Sequence, residues 1–285
     1  MTRPSDRAPA PSEAATPPDA PSGAWTPSSA GTPRKAPSGA GTPSGAGTPS
    51  GAGAPRGAGT PPDAPAPPGR RERQRAATRA EIVARARTQL AQRGVPGLSL
   101  NGIARAMGMS GPAIYRYFDS RAALVTALAT VGFEELAAAV TAAAEAARRR
   151  RPAGRLRAVA GAYRDWALAD PAVYRVMLAD PYGDGHLADP AVVTASQQAM
   201  RVLLELVAAL DRPLPPAPPR LRGEVAEWAR SRDTAVEPTV AAAAIRLWVR
   251  LHGIVGMELE GVLAAVGIDA ATLVDAELDQ FLGDA

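Results

Sequence analysis

Ser110, Tyr115, Arg116, Tyr117 and Arg121 fall together in "SGPAIYRYFDSR", residues 110–121. These hydroxyl and guanidinium donors suit recognition of a phosphate-bearing surface. Tyrosine hydroxyls donate to phosphate oxygens, and their rings pack on thymine methyls. An arginine reaches a phosphate or the acceptors of guanine. Gly111, Pro112 and Ala113 come just before the tyrosines. Small residues at a helix start let the backbone approach a surface closely, with N–H groups and the positive dipole end turned towards it.

A helix is what would turn these donors one way. At about 100° per residue, Ile114 and Phe118 share a face and fill the core of a small module. Arg116 and Tyr117 then point elsewhere, and Tyr115 lies at the boundary. A helix this short cannot bury all of its aromatics. Ser110 is expected to cap it, with Pro112 in the first turn, where a missing N–H costs little. Gly108 supplies a tight turn. Ahead of it, Ser99 caps a second helix running to Met107, with Leu100, Ile103 and Ala104 inward. A first helix, from about Arg73 to Arg93, puts Ile82, Val83, Ala86 and Leu90 on one face. Gly94 suits its C-cap, and Pro96 and Gly97 prevent continuation. Helix, tight turn and helix make a helix-turn-helix, whose later helix enters the major groove of DNA.

Charge agrees with that assignment. Residues 70–121 hold eleven arginines against Glu72, Glu81 and Asp119, whereas the remainder of the chain beyond them is net acidic. A compact basic module on an acidic body is the footprint of a polyanion binder. The 285-residue chain has no cysteine and only two histidines, His186 and His252. Disulfides, zinc–thiolate sites, cysteine nucleophiles and a histidine-rich metal site are excluded. No phosphate-binding glycine loop is present, so an α-helical enzyme is a poor fit and no cofactor is expected. No signal-peptide core or membrane span is evident, and a cytoplasmic protein is expected.

Residues 1–69 are rich in Pro, Gly, Ala, Ser and Thr, with a near-repeat "SGAGTPSGAGTPSGAGAP" at 38–55. Too few large apolar side chains occur there to offset the entropy of ordering, so a disordered tail is expected. The rest is expected to be all-α, with no period-two alternation to support strands. A fourth helix runs from Ser120 or Arg121 towards Arg148. Further helices are expected at about 155–169, 171–178, 190–210, 221–230, 238–266 and 270–282. Loops fall at 179–190 and 211–220. The domains are thus a tail over 1–69, a helix-turn-helix module over 70–121 and a helical body over 122–285.

"LSLNGIARAMGMSGPAIYRYFDSRAAL", residues 98–124, resembles the DNA-binding domain of the TetR family of bacterial transcriptional regulators. The shared features are Ser99, Ile103-Ala104, Gly108-Met109-Ser110, Tyr115, Tyr117, Phe118 and Arg121. The resemblance implies a homodimeric, ligand-responsive repressor whose recognition helices enter two successive major grooves of a palindromic operator. It also implies that Ser99 sets the second helix against a phosphate. Pro112, Ala113 and Tyr115 then sit over the bases, and Tyr117 and Arg121 hold the backbone. Gly111 departs from the family, which often carries a polar or basic side chain there, so fewer base-reading groups are on offer.

"AAIRLWVRLHGIVGMELEGVL", residues 243–263, resembles the C-terminal domain of a TetR subfamily marked by a Trp, a His and a Gly, here Trp248, His252 and Gly253. The resemblance places the dimer interface on the helices at 238–266 and 270–282. Between the body helices an effector pocket for a largely hydrophobic small molecule is expected. Tyr163, Trp166, Tyr174 and Met177 are candidates for its wall, together with Trp228, Trp248, His252 and Met257. A helical dimerisation or scaffold protein without ligand response is the alternative. It would not explain the basic module.

Overall fold

The computed structural model describes residues 69–178 and 185–283. The expected disordered tail, Gly69 apart, and positions 179–184 of the expected loop lie outside the described residues. All regular structure among the described residues is helical.

Three helices form the N-terminal module: α1 (Arg70–Arg93), α2 (Leu100–Ala106) and α3 (Gly111–Ile114). Its core is the predicted set: Ile82, Val83, Ala86, Leu90, Leu100, Ile103, Ala104, Ile114 and Phe118 are all buried. Removing each of the larger side chains from water contributes about 1.5–3 kcal/mol. Gly94 ends α1 with a φ of 65°, and its N–H bonds the Leu90 carbonyl at 2.9 Å. Gly108, at φ 66°, makes the turn between α2 and α3. Both dihedrals lie where a Cβ is strained, which is why glycine stands there.

The body comprises α4 (Arg121–Ala146), α5 (Pro152–Ala169), α6 (Pro171–Leu178), α7 (Pro190–Ala208), α8 (Pro219–Arg230), α9 (Pro238–Leu259), α10 (Val262–Ala265) and α11 (Ala270–Leu282). Ser120 caps α4, accepting from the Ala123 N–H at 3.0 Å. Helix α4 is the central element and packs on α5, α6 and α7. The approach of α6 is closest at Gly132, where a Cβ would lie 2.5 Å from Met177 Sδ and 2.6 Å from Val173 Cγ1.

Three expectations are corrected. The single helix expected over 238–266 is two, because Gly261 takes a left-handed φ of 72° between α9 and α10. Its apolar pattern continues across the break, so periodicity alone could not reveal it. Helix α4 stops at Ala146, ahead of the arginine run. Membrane-span length and apolarity are in fact reached, by α4 and α9. About half of each such stretch is buried among neighbouring helices, as suits core elements of a bundle.

Module and body are joined by more than α4. Helix α1 also packs on α6. Arg87 of α1 donates through Nη1 and Nη2 to both oxygens of Glu135 on α4, at 2.6 and 2.8 Å. Its Nε donates to Asp170, the residue before α6. The hydrogen bonds it donates to Glu135 lead the causes that hold the Arg87 pKa above its ordinary value, so the clamp stays charged. The other oxygen of Asp170 accepts from the Val173 N–H at 3.0 Å, capping α6.

Candidate nucleic-acid interface and interior cavity

The helix-turn-helix is built as its residues dictate. Ser99 accepts from the Gly102 N–H at 3.0 Å and so starts α2. Its own N–H donates to the Gln89 side chain at 3.0 Å, fixing α2 to α1. Ser110 stands at the N-cap of α3 with extended backbone, but its side chain accepts no bond from the helix. An N-cap side chain bonds the N2 or N3 amide. Pro112 at N2 has no N–H, and the Ala113 N–H bonds the Ser110 carbonyl at 2.9 Å instead. The expected side-chain cap is therefore corrected, and the hydroxyl of exposed Ser110 is left for other partners.

Only Gly111–Ile114 is α-helical, and hydrogen-bonded turns carry the segment on. The Tyr117 and Phe118 amides both bond the Ile114 carbonyl, at 2.9 and 3.2 Å. Ile114 and Phe118 are fully buried, whereas Tyr115 is 46% exposed and Arg116 is exposed. Pro112 is exposed, and Gly111 and Ala113 are half-buried. A Cβ on Gly111 would meet only Asn101 Oδ1, at an ordinary 3.5 Å. The chain's own packing does not demand glycine there.

Tyr117 and Arg121 are placed differently. Tyr117 is half-buried against the module core. Arg121 is half-buried and donates to the Val95 carbonyl in the turn after α1. Two further arginines act within the module. Arg75 donates to the Arg116 carbonyl at 3.2 Å and Arg79 to the Tyr117 carbonyl at 2.8 Å. The Arg79 guanidinium also lies 4.1 Å from the centre of the Phe118 ring. Counting charges along the sequence could not reveal these uses. They make α1 the support that holds α3 and its following turn in place.

Inside the body lies a cavity of about 450 Å³, within the roughly 300–1,000 Å³ typical of small-molecule sites. Of the candidate wall residues, Tyr163, Met177, Trp228 and Trp248 line it. Most of the remaining wall is aliphatic, including Leu136, Val140, Leu156 and Leu203. Ser196, Gln197 and Arg232 also line it. They were missed because no periodic signal marks polar residues that reach a cavity from separate helices and turns.

Trp166, Tyr174, His252 and Met257 do not line this cavity. Met257 is 46% exposed on α9. The other three form a layer behind the wall. Tyr174 Oη lies 2.6 Å from His252 Nδ1, and Tyr163 Oη lies 3.3 Å from the same nitrogen. The two hydroxyls are 3.2 Å apart. Trp248 stacks on His252, with ring centroids 5.7 Å apart, and Trp166 packs at a tilt on Tyr174. Burial pushes both tyrosine pKa values up and the His252 pKa down. The cluster is therefore neutral and hydrogen-bonded, and Tyr163 connects it to the cavity. His186 is buried apart from it, with Nε2 3.2 Å from the Val176 carbonyl. Among the described residues, no group of His, Cys, Asp and Glu is arranged to hold a metal.

A helix-turn-helix on an all-helical body is the architecture of a bacterial transcriptional regulator. Residues 82–128 match the family described as bacterial regulatory proteins, tetR family. Residues 156–281 match the tetracyclin repressor-like C-terminal domain. The chain belongs to the TetR family of transcriptional regulators, which is not a family of enzymes.

Rv1816 of Mycobacterium tuberculosis, an HTH-type transcriptional regulator, is 36% identical over 113 residues, 40% of this chain and 48% of that protein. Mb1846 of Mycobacterium bovis matches to the same extent. The match thus spans about half the length of these curated relatives. Two solved structures are similar over nearly their full length. SCO4313, described as a regulatory protein, shares 36% identity at a TM-score of 0.61, over 74% of this chain and 98% of its own. A protein of unknown function from Rhodococcus sp. RHA1 shares 30% identity at a TM-score of 0.57, over 72% and 94%.

Proposed function

We propose that the chain is a homodimeric repressor that leaves its operator when a small molecule occupies the body cavity. One observation carries the coupling. Helix α6, eight residues long, touches both ends of the device. Asp170, at its head, is bonded to Arg87 of α1, and Met177, near its end, forms cavity wall. A ligand that displaces Met177 therefore moves the residue that holds the DNA-binding module. Such a shift requires the ligand to favour one arrangement of α6 over the other.

DNA contact falls to Ser110, Pro112, Ala113, Tyr115 and Arg116 at the surface, with Gly111 allowing close approach. Tyr117 and Arg121 act mainly by supporting them, and Ser99 orients α2 towards a phosphate. The module is taken as residues 70–121 and the body as 122–285, acting in the cytoplasm on chromosomal DNA.

Dimerisation is assigned to α9 with α11. On α9, Val249, Gly253, Gly256 and Met257 fall on one face. Val249 is 52% exposed, and a Cβ on either glycine would meet nothing within 4 Å. A face that is apolar, open and stepped with glycine suits close packing against a second copy. Trp248, His252 and Gly253 support placement in the Trp-His-Gly subgroup.

Fluorescence anisotropy on the DNA upstream of the gene and on random DNA, at two salt concentrations, tests the proposal. Salt-dependent binding with a preference for the upstream DNA is expected. Absent or salt-insensitive binding would sink it. Sedimentation of Val249→Glu with Met257→Glu should show a monomer; an unchanged dimer would move the interface elsewhere.

A further inference from the structure

The cavity wall carries charge at one place. Among the described residues that line it, Arg232 is the one cation, and there is no Asp, Glu, Lys or His. Elsewhere in the body, several arginines pair with carboxylates. Arg164 pairs with Glu258 at 2.5 Å, Arg157 with Asp279 at 2.5 Å and Arg250 with Glu277 at 3.0 Å. Arg232 has no carboxylate partner among the described residues. Its guanidinium lies 5.4 Å from the centre of the Trp228 ring, and its Nη1 donates to Ser231 Oγ at 3.2 Å.

The backbone beneath this cation is held. The Arg232 carbonyl accepts from Gln197 Nε2 and from Thr234 Oγ1, each at 3.3 Å. The next residue, Asp233, takes a left-handed φ of 48°, and the Thr234 N–H returns to the Ala229 carbonyl at 2.9 Å. A short turn with an uncommon backbone conformation thus fixes the point from which Arg232 reaches the cavity. Arg232, Trp228, Gln197 and Met200 also line a second cavity, of about 430 Å³. The charged residues of that second wall include Glu205 and Asp233, and neither bonds the guanidinium.

We infer that the cavity takes an amphiphilic monoanion, with an apolar body in the cavity and a carboxylate paired with Arg232. This rests on the reading of the cavity as the effector site. A guanidinium fork matches a planar carboxylate with two parallel hydrogen bonds. One arginine supplies one charge, which favours a carboxylate over a phosphate dianion. A cationic amphiphile would enter an apolar wall with no counter-charge, at a desolvation cost nothing there offsets. The fixed turn lowers the ordering cost of binding.

Calorimetry on the full chain tests the inference with decanoate, decan-1-ol and decylammonium, each below its micellar concentration. A second pair, 4-phenylbutanoate and 4-phenylbutan-1-ol, repeats the comparison on another apolar body. Carboxylates are expected to bind at least tenfold tighter than the matching alcohols, with decylammonium weakest. Arg232→Gln should remove that preference while binding decan-1-ol like the wild type, which shows its cavity intact. Arg232→Lys should keep part of it. Equal affinity for acid and alcohol, a full preference in Arg232→Gln, or no binding by any probe would overturn the inference. DNA anisotropy on the same samples reads the repressor proposal separately. Carboxylate binding through Arg232 without DNA release supports the ligand class and contradicts effector release.

Discussion

The Tyr174 hydroxyl meets Nδ1 of His252 at 2.6 Å, joining α6 to α9 directly behind the cavity wall. Burial lowers the His252 pKa from its ordinary value. A histidine depressed in this way is neutral when folded, and the unfolded chain takes up its proton first. Its contribution to stability is thus complete above the unfolded value, about 6.5. It is lost as pH falls from there through the lower folded value. The urea midpoint of the wild type should fall on acidification below about pH 6.5, and His252→Gln should lack that component. Glu237 and Asp269, whose pKa values are lowered mainly by capping hydrogen bonds from Thr239 and Thr272, lose theirs only in the more acidic carboxylate range. Parallel curves for wild type and variant would remove His252 from the account.

Arg87→Met cuts the clamp between α1, α4 and α6. The side chains of Arg87, Glu135 and Asp170 are 33%, 38% and 18% exposed, so water offsets much of the loss. A destabilisation of about 1 kcal/mol is expected from urea melts. DNA binding without effector should persist, while release by effector should weaken. A variant that releases DNA as readily as the wild type would place the coupling elsewhere.

Gly132→Val tests the α4–α6 approach. Its Cβ would collide with Met177 and Val173, and overpacking of this kind costs about 1–3 kcal/mol. Met177 is cavity wall, so binding of apolar probes should weaken as well. Gly223→Ala is the contrast: it sits in α8 with nothing within 4 Å of its Cβ. It should gain about 0.5–1 kcal/mol through helix propensity. Thermal melts of opposite sign are the expected result; a Gly132→Val variant that melts at or above the wild type would contradict the packing at Gly132.

The helix-turn-helix was legible because its signals are local. Ser99 caps from three residues away, Ile114 and Phe118 lie one turn apart, and Gly94 and Gly108 occupy the left-handed turns they suit. What stayed hidden depends on distance along the chain. Arg75 and Arg79 look like DNA-binding charge until the turn after α3 comes back beneath them and offers its carbonyls. Tyr174 and His252 look like wall residues, yet each spends its polar atom on the other, 78 positions away. Arg232 carries no pattern at all, because its place on the cavity comes from a turn held by Gln197 of another helix. The break at Gly261 escaped since an apolar period continues through it.

Hydroxyl-radical footprinting of the full chain on the DNA upstream of its gene shows whether two helix-turn-helix modules grip the operator together. Two protected patches about one helical turn, roughly 10 base pairs, apart are expected. Tyr115→Ala with Arg116→Ala should erase them while leaving the helical far-UV signal intact. Uniform protection, a single patch, or an unchanged footprint in the double variant would contradict that joint grip.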